Sequence, residues 1–180
     1  MDFKGYFMKG VELVKLNRDA ASEVAADEGA FGMAVVFFAI GGLAAGLAGT
    51  AVSMGAGVAL IIFGPIMQVI GSFISVGILY LIAKMLGGTG GFKGYYSALG
   101  IGSIPQWAQF VPFVGWLVSL WSLPVSVIVT ERVHNLSFGK AVAVVVIPFL
   151  IVAFLFVLAI AFVGTAAILG VVGAMGARGM

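Results

Sequence analysis

The sequence predicts an all-α integral membrane protein: a bundle of five transmembrane helices preceded by a short amphipathic helix. Hydrophobic residues make up 62% of the chain and charged residues only 9%, whereas a soluble domain carries about 25% charged residues. Residues 30–83, 94–130 and 141–177 contain no Asp, Glu, Lys or Arg. Each of these runs exceeds the ~20 apolar residues that cross a bilayer as a helix.

The lengths of the three uncharged runs predict how they divide into spans. As one helix, the first run would reach about 80 Å, more than twice the ~30 Å hydrocarbon core, so we expect a break in SMGAG at 53–57. QFVPFVG at 109–115 is expected to divide the second run, because proline disfavours helix in the residue before it. The third run is long for one helix and short for two, and we predict one helix followed by a glycine-rich tail. The predicted spans are 30–52, 58–83, 95–110, 114–130 and 141–168.

Basic residues predict the orientation of this bundle. With five spans, one side of the membrane holds residues 1–29, 84–94 and 131–140, which contain all Lys and Arg residues except Arg178. Short cytoplasmic loops are enriched in Lys and Arg. We therefore expect a multi-pass protein with a cytoplasmic N-terminus and the C-terminus outside.

Residues 1–19 have the pattern of an amphipathic helix. Phe3, Phe7, Val11 and Val14 fall on one side of this helix, and charged residues fall on the other. Two placements fit this pattern: a helix lying on the cytoplasmic leaflet of the bilayer, or a helix packed against the end of the bundle. The following AASEVAADEG is interpreted as a linker into the first span.

The sequence predicts a protein without catalytic residues, metal or cofactor. Cysteine is absent and there is one histidine, so the usual Cys and His ligands of zinc are missing. No carboxylate lies inside a predicted span, and neither HExxH nor GxSxG occurs. The basic residues flank the membrane and form no stripe of the kind that binds nucleic acid.

Small and uncharged polar residues inside the spans predict contacts between helices. Gly42 and Gly46 form a GxxxG pair, which permits close helix approach within the bundle or between two copies, and we favour the bundle. Uncharged polar side chains in the second and third spans either form hydrogen bonds between helices or line a pathway: Gln68, Ser72, Gln106 and Gln109. We favour hydrogen bonds, because an ion pathway usually contains a buried charge.

The stretch TERVHNLSFGKA, residues 130–141, concentrates polar groups between the fourth and fifth spans, and we interpret it as a cytoplasmic connector. Its candidate contacts to a protein partner are Glu131, Arg132, His134, Asn135, Phe138 and Lys140. In the alternative interpretation these residues only cap helices: Asn135 or Ser137 is the N-cap of the fifth span, and the Lys140 side chain extends to the membrane–water interface.

The stretches AKMLGGTGGFKGYYSALGIGSIPQW and VPFVGWLVSLWSLPVSVIVTERVHNLSFGKAVAVVVIP resemble the core of the Yip domain, a family of five-span membrane proteins named for interacting with Ypt/Rab GTPases. The resemblance covers residues 84–148 and depends on the order and spacing of Gly87, Gly88, Phe92, Pro105, Gly115 and Trp116. It implies a cytoplasmic segment at 1–29, a Yip-like transmembrane domain at 30–180, and a role in membrane trafficking or organisation. Residues 1–29 lack the Asp-Leu-Tyr-Gly-Pro type of motif found in eukaryotic members, so the resemblance does not extend to GTPase binding. The short form is similar to bacterial and archaeal relatives, and we expect a prokaryotic cell membrane.

Three functions are consistent with these features. The first is a scaffold or adaptor whose cytoplasmic face binds a protein partner. The second is a transporter or channel for a small solute or lipid through the spans that carry glutamine and serine. The third is membrane shaping by the amphipathic helix. The third and fourth predicted spans are short, so they either cross the membrane fully or enter and leave it on the same side. Short spans also favour a homo-oligomer, which relieves mismatch between helix length and bilayer thickness.

Overall fold

The computed structural model describes residues 1–52, 57–111 and 113–178. Within those residues the chain is helical and contains no strand. The α-helices are α1 (Phe3–Val14), α2 (Arg18–Ala26), α3 (Ala30–Val52), α4 (Gly57–Met85), α5 (Phe92–Ile101), α6 (Ile104–Trp107), α7 (Val114–Ser119), α8 (Ser122–His134) and α9 (Phe138–Arg178). A 3-10 turn, Ala108–Phe110, follows α6.

Three of the described helices are long and apolar enough to cross a membrane. Their candidate spans are Ala30–Thr50 in α3, Val58–Met85 in α4 and Phe138–Phe162 in α9. These correspond to the first, second and last predicted spans. The predicted break at 53–57 falls largely on residues 53–56, which lie outside the described residues. The prediction of five spans is not confirmed, because the longest helix between α4 and α9 is α8, with 13 residues.

The third and fourth predicted spans are each divided into shorter helices. Gly102 ends α5, and Pro105 lies in the first turn of α6, where the missing backbone N–H of proline costs no hydrogen bond. Phe113, which precedes α7, has a φ of +64°, a conformation that non-glycine residues adopt mainly at sharp turns. Gly115 then packs against the carbonyl group of Ala108, in a space that a β-carbon would not fit. The chain therefore reverses between the 3-10 turn and α7.

The helices α1 and α2 pack against the rest of the bundle. Tyr6, Gly10 and Leu13 of α1 are buried, and the Phe7 ring lies 6.0 Å from that of Trp107. Of the two predicted placements, the packed helix is the one observed. The four residues predicted for the apolar face are exposed or only partly buried, with Phe3 46% exposed, so this packing leaves part of that face free.

The interpretation of residues 20–29 as a linker was wrong. Residues 18–26 form α2, and its small buried residues, Ala20, Ala21 and Val24, allow it to pack on α5 and α8. The side chain of Asn17 accepts a hydrogen bond from the backbone N–H of Asp19 and caps the helix. Two short helices therefore precede the first candidate span.

The third uncharged run lies in one helix, but the predicted tail after residue 168 was wrong. The helix α9 has 41 residues and continues to Arg178. The chain divides into two units, residues 1–145 and residues 146–180. In the second unit, large apolar side chains such as Phe149, Phe154 and Phe162 are more than half exposed, as is typical of a surface that contacts lipid or a partner.

Candidate functional site

The segments predicted to share one side of the membrane contact one another. Two ion pairs join α2 to the end of α8: Arg18 with Glu131 at 3.2 Å and Arg132 with Asp19 at 3.8 Å. We call the surface formed by α2 with residues 84–94 and 131–140 the connector junction. The second ion pair is exposed, with Asp19 84% accessible, so it contributes little stability.

Hydrogen bonds join the two connectors directly. The backbone N–H of Thr89 donates to the carbonyl of His134 at 3.0 Å, and the Asn135 side-chain amide donates to the Thr89 hydroxyl at 2.9 Å. The ammonium group of Lys140 donates to the carbonyl of Leu86 at 2.9 Å. The bonds to His134 and Leu86 satisfy carbonyls at the ends of α8 and α4, which helix geometry leaves without partners.

Glycines between α4 and α5 allow the close approach of the two connectors. Gly87 has a φ of +94°, a conformation that glycine adopts without steric cost. A β-carbon on Gly88 would lie 2.8 Å from both the Ala83 carbonyl oxygen and His134 Nδ1, and Gly90 packs against the carbonyl of Val133. Gly88 of the paired glycine therefore contacts the His134 side chain, and Gly90 makes the contact between the backbones of the two connectors.

The interpretation of His134 as a partner contact was wrong. Its side chain is 0% exposed, because the last turn of α8 directs it beneath Gly88. The imidazole ring lies 4.6 Å from the ring of Tyr95 and 5.7 Å from that of Tyr80, and neither nitrogen has a hydrogen-bond partner. Burial, followed by the positive charge of Lys84, lowers the pKa of His134 to about 4. The ring is therefore neutral near pH 7.

The other residues of the predicted contact set have separate positions. Arg132, Asn135, Phe138 and Lys140 are exposed, and Glu131 is partly buried beside Arg18. Asn135, with a φ of +51°, ends α8, so the suggestion that it caps the fifth span was wrong. Lys140 is bound to the end of α4. Phe138, 55% exposed, is the main apolar group of its connector on the surface.

A second candidate site is a cavity of about 260 Å³ between α3, α4, α5, α6 and α8. Three of the predicted pathway residues line it: Gln68, Ser72 and Gln106. Gln109 does not, because the α-helix ends at Trp107 and Gln109 lies in the 3-10 turn that follows. The polar lining also includes Ser122 and Ser126 of α8. These two residues were not predicted as a site, although their four-residue spacing places them on one helix face.

Polar residues of the cavity form hydrogen bonds between helices. The Gln68 amide donates to the Gln106 side-chain oxygen at 3.1 Å, joining α4 to α6. The Ser72 hydroxyl lies 2.7 Å from that of Tyr96, joining α4 to α5. The ring of Tyr96 in turn stacks on Phe73 with centroids 4.4 Å apart. The central position of Tyr96 was not predicted, since an aromatic residue in an apolar run carries no distinguishing pattern.

The remaining residues singled out in the sequence lie at helix contacts. Gly42 and Gly46 pack against the carbonyls of Gly64 and Leu60, so the small residues bring α3 and α4 together within one chain. Phe92 begins α5, and its ring meets that of Tyr80 edge-on at 5.6 Å. The side chain of Trp116 lies outside the described part of the chain. Among the described residues, no three His, Asp or Glu side chains are placed to hold a metal ion.

Comparison with known proteins gives one match. The sequence model of the Yip1 domain family matches residues 12–161, a range that contains both connectors and the cavity. No curated protein and no solved structure matches the chain.

Proposed function

Because the chain belongs to the Yip1 domain family, we propose that it is a non-enzymatic scaffold of a prokaryotic cell membrane, acting in membrane organisation or trafficking. In this proposal the connector junction lies in the cytoplasm and binds the acidic surface of a protein partner. The observation that carries the proposal is that hydrogen bonds and ion pairs hold three separate segments together as one surface. A surface ordered before binding loses little entropy when a partner docks.

The charge of the connectors supports an acidic partner. Their four basic side chains are all exposed: Lys84, Lys93, Arg132 and Lys140. Their one acid, Glu131, is neutralised by Arg18. Complementary charge speeds association and selects partners of opposite sign.

Apolar groups beside these charges supply the remaining part of an interface. Phe138 is 55% exposed and Met85 is 85% exposed. Aromatic residues, Met and Arg are enriched at protein interfaces. The two connectors thus place exposed apolar groups beside basic side chains.

The test is site-specific photo-crosslinking in native membranes. A photoreactive residue at position 138 is expected to give a discrete protein adduct. The matched control is position 154 on α9, where Phe154 is also exposed and where we expect lipid adducts alone. The same protein adduct at both positions, or lipid adducts alone at position 138, would contradict the proposal.

Charge reversal then tests the chemistry of binding. Lys93→Glu combined with Arg132→Glu is expected to abolish the adduct at position 138. Lys4→Glu combined with Lys15→Glu changes the net charge equally at exposed positions outside the connectors, and the adduct is expected to persist. Equal loss in both variants would show that only total charge matters.

A further inference from the structure

The cavity has polar side chains in its lining, although the sequence around it is apolar. Its polar groups are hydroxyls and carboxamides, and none of its lining residues is charged. The two amides pair with each other through one amide hydrogen of Gln68 and the oxygen of Gln106. That pair leaves the Gln68 oxygen and the Gln106 amide hydrogens for another partner, so both a donor and an acceptor are available there.

One buried hydroxyl group among the described lining residues has no hydrogen-bond partner. Ser126 donates to the backbone carbonyl of Ser122 at 2.7 Å, whereas the Ser122 hydroxyl oxygen is buried without a hydrogen bond. Buried polar groups in proteins are nearly always hydrogen-bonded to protein, water or ligand. This oxygen is buried from the cavity, and it becomes available to a bound group once the Ser122 side chain rotates toward the cavity.

The size and the opening of the cavity restrict which chemical group can bind in it. A volume of about 260 Å³ accommodates a head group of a few heavy atoms, since one water takes ~30 Å³. Ser75 lines the cavity and is exposed, and Gly71 beside it has open space around its β-carbon position. The cavity thus opens on α4, a candidate membrane span whose neighbouring Ile70 and Ile74 are at least half exposed.

We propose that this cavity binds the uncharged glycerol group of a neutral lipid such as diacylglycerol, with its acyl chains lying along α4. The free hydroxyl of the glyceride both donates and accepts hydrogen bonds, matching the Gln68 oxygen and the Gln106 amide hydrogens. A phosphate head group finds no cation in the lining, and an unpaired charge is costly to bury. This binding is independent of the scaffold function of the connector junction.

The test uses the full chain in phosphatidylcholine nanodiscs with photoreactive diacylglycerol as probe. We expect labelling on α4 or α8 that unlabelled diacylglycerol suppresses and phosphatidic acid does not. Photoreactive phosphatidylcholine is expected to give no such labelling. If free glycerol at millimolar concentration suppresses the labelling, the site binds a soluble polyol and not specifically a lipid. If free glycerol leaves the labelling unchanged, the bound group belongs to the lipid.

Two variants and one matched control locate the site. Gln106→Leu and Ser122→Ala are each expected to reduce labelling about tenfold, the effect of losing roughly one hydrogen bond. Gln109→Leu makes the same chemical change outside the cavity and is expected to leave labelling unchanged. Ser122→Ala removes a single oxygen, so it tests the site even where Gln106→Leu impairs folding. Equal labelling in Ser122→Ala and Gln109→Leu, or no specific diacylglycerol labelling in the parent chain, overturns the proposal.

Discussion

Gly88 lies directly against the ring of His134, so that a β-carbon on the glycine would be 2.8 Å from Nδ1. The two residues belong to different connectors, and their contact closes the buried side of the connector junction. His134 has no exposed surface and no hydrogen bond from either nitrogen. Packing alone therefore holds the imidazole in place.

Replacement of Gly88 by alanine is expected to destabilise the protein. The new methyl group would meet the Ala83 carbonyl oxygen and His134 Nδ1, both at 2.8 Å, and such overpacking typically costs about 1–3 kcal/mol. Thermal unfolding in detergent measures the effect. Gly91→Ala is the control, because nothing lies within 4 Å of its β-carbon position. Equal melting temperatures for the two variants would contradict the packing described.

Acidification is expected to destabilise the folded chain through His134. Its pKa is about 4 in the folded chain, against an ordinary value of 6.5, so between these values the unfolded chain binds the proton more readily. Stability is therefore full above about pH 6.5, falls by at most ~1.4 kcal/mol per pH unit below it, and levels off near pH 4. Lys84 is the charged group that opposes protonation, and Tyr80 and Tyr95 flank the ring.

The measurement is thermal unfolding at a series of pH values between about 7.5 and 4.5, a range that covers most of the interval between the two pKa values of His134. His134→Phe keeps an aromatic ring in the site and removes its titration, so its stability is expected to vary less with pH than that of the parent chain. The carboxyl of Asp27 does not interfere, since hydrogen bonds from Gly29 and then Tyr6 hold its pKa below its usual range. An unchanged pH dependence in His134→Phe would show that another group is responsible.

Alanine substitutions in α3 and α4 are expected to have opposite effects. Gly42 packs against the carbonyl of Gly64, whereas nothing lies within 4 Å of the β-carbon position of Gly77. Gly42→Ala must separate the two helices and is expected to lower the melting temperature. Gly77→Ala is expected to leave it unchanged or raise it, because alanine favours helix over glycine by about 1 kcal/mol. A loss of stability confined to Gly77→Ala would exclude this packing of α3 on α4.

The sequence predicts α3 and α4 well because their signal is local. The α3 helix, Ala30–Val52, has the bounds of the first predicted span, which were set by the start of the uncharged run and by the SMGAG stretch. By contrast, the division of residues 92–134 depends on the positive φ of Phe113 and on the packing of Gly115 against Ala108. Those features arise from tertiary structure, and length and hydropathy do not contain them.

The candidate sites show the same limit. That the two connectors lie together follows from the predicted topology, but the burial of His134 depends on Gly88, which is 46 residues away in the chain. A lone histidine among charged residues has the pattern of an exposed side chain. Similarly, α2 has too few large apolar residues to be recognised as a helix, because it packs through alanine.

The bonds that form the connector junction have a consequence for biogenesis. Arg18 and Glu131 are separated by 113 residues, and Leu86 and Lys140 by 54, so neither bond exists until the later residue has been synthesised. Contacts between distant residues form late, because the intervening chain must first be ordered. The surface is therefore completed only after α8 and the first turn of α9 have been made. A partner that recognises this surface therefore does not bind nascent chains that end before Lys140.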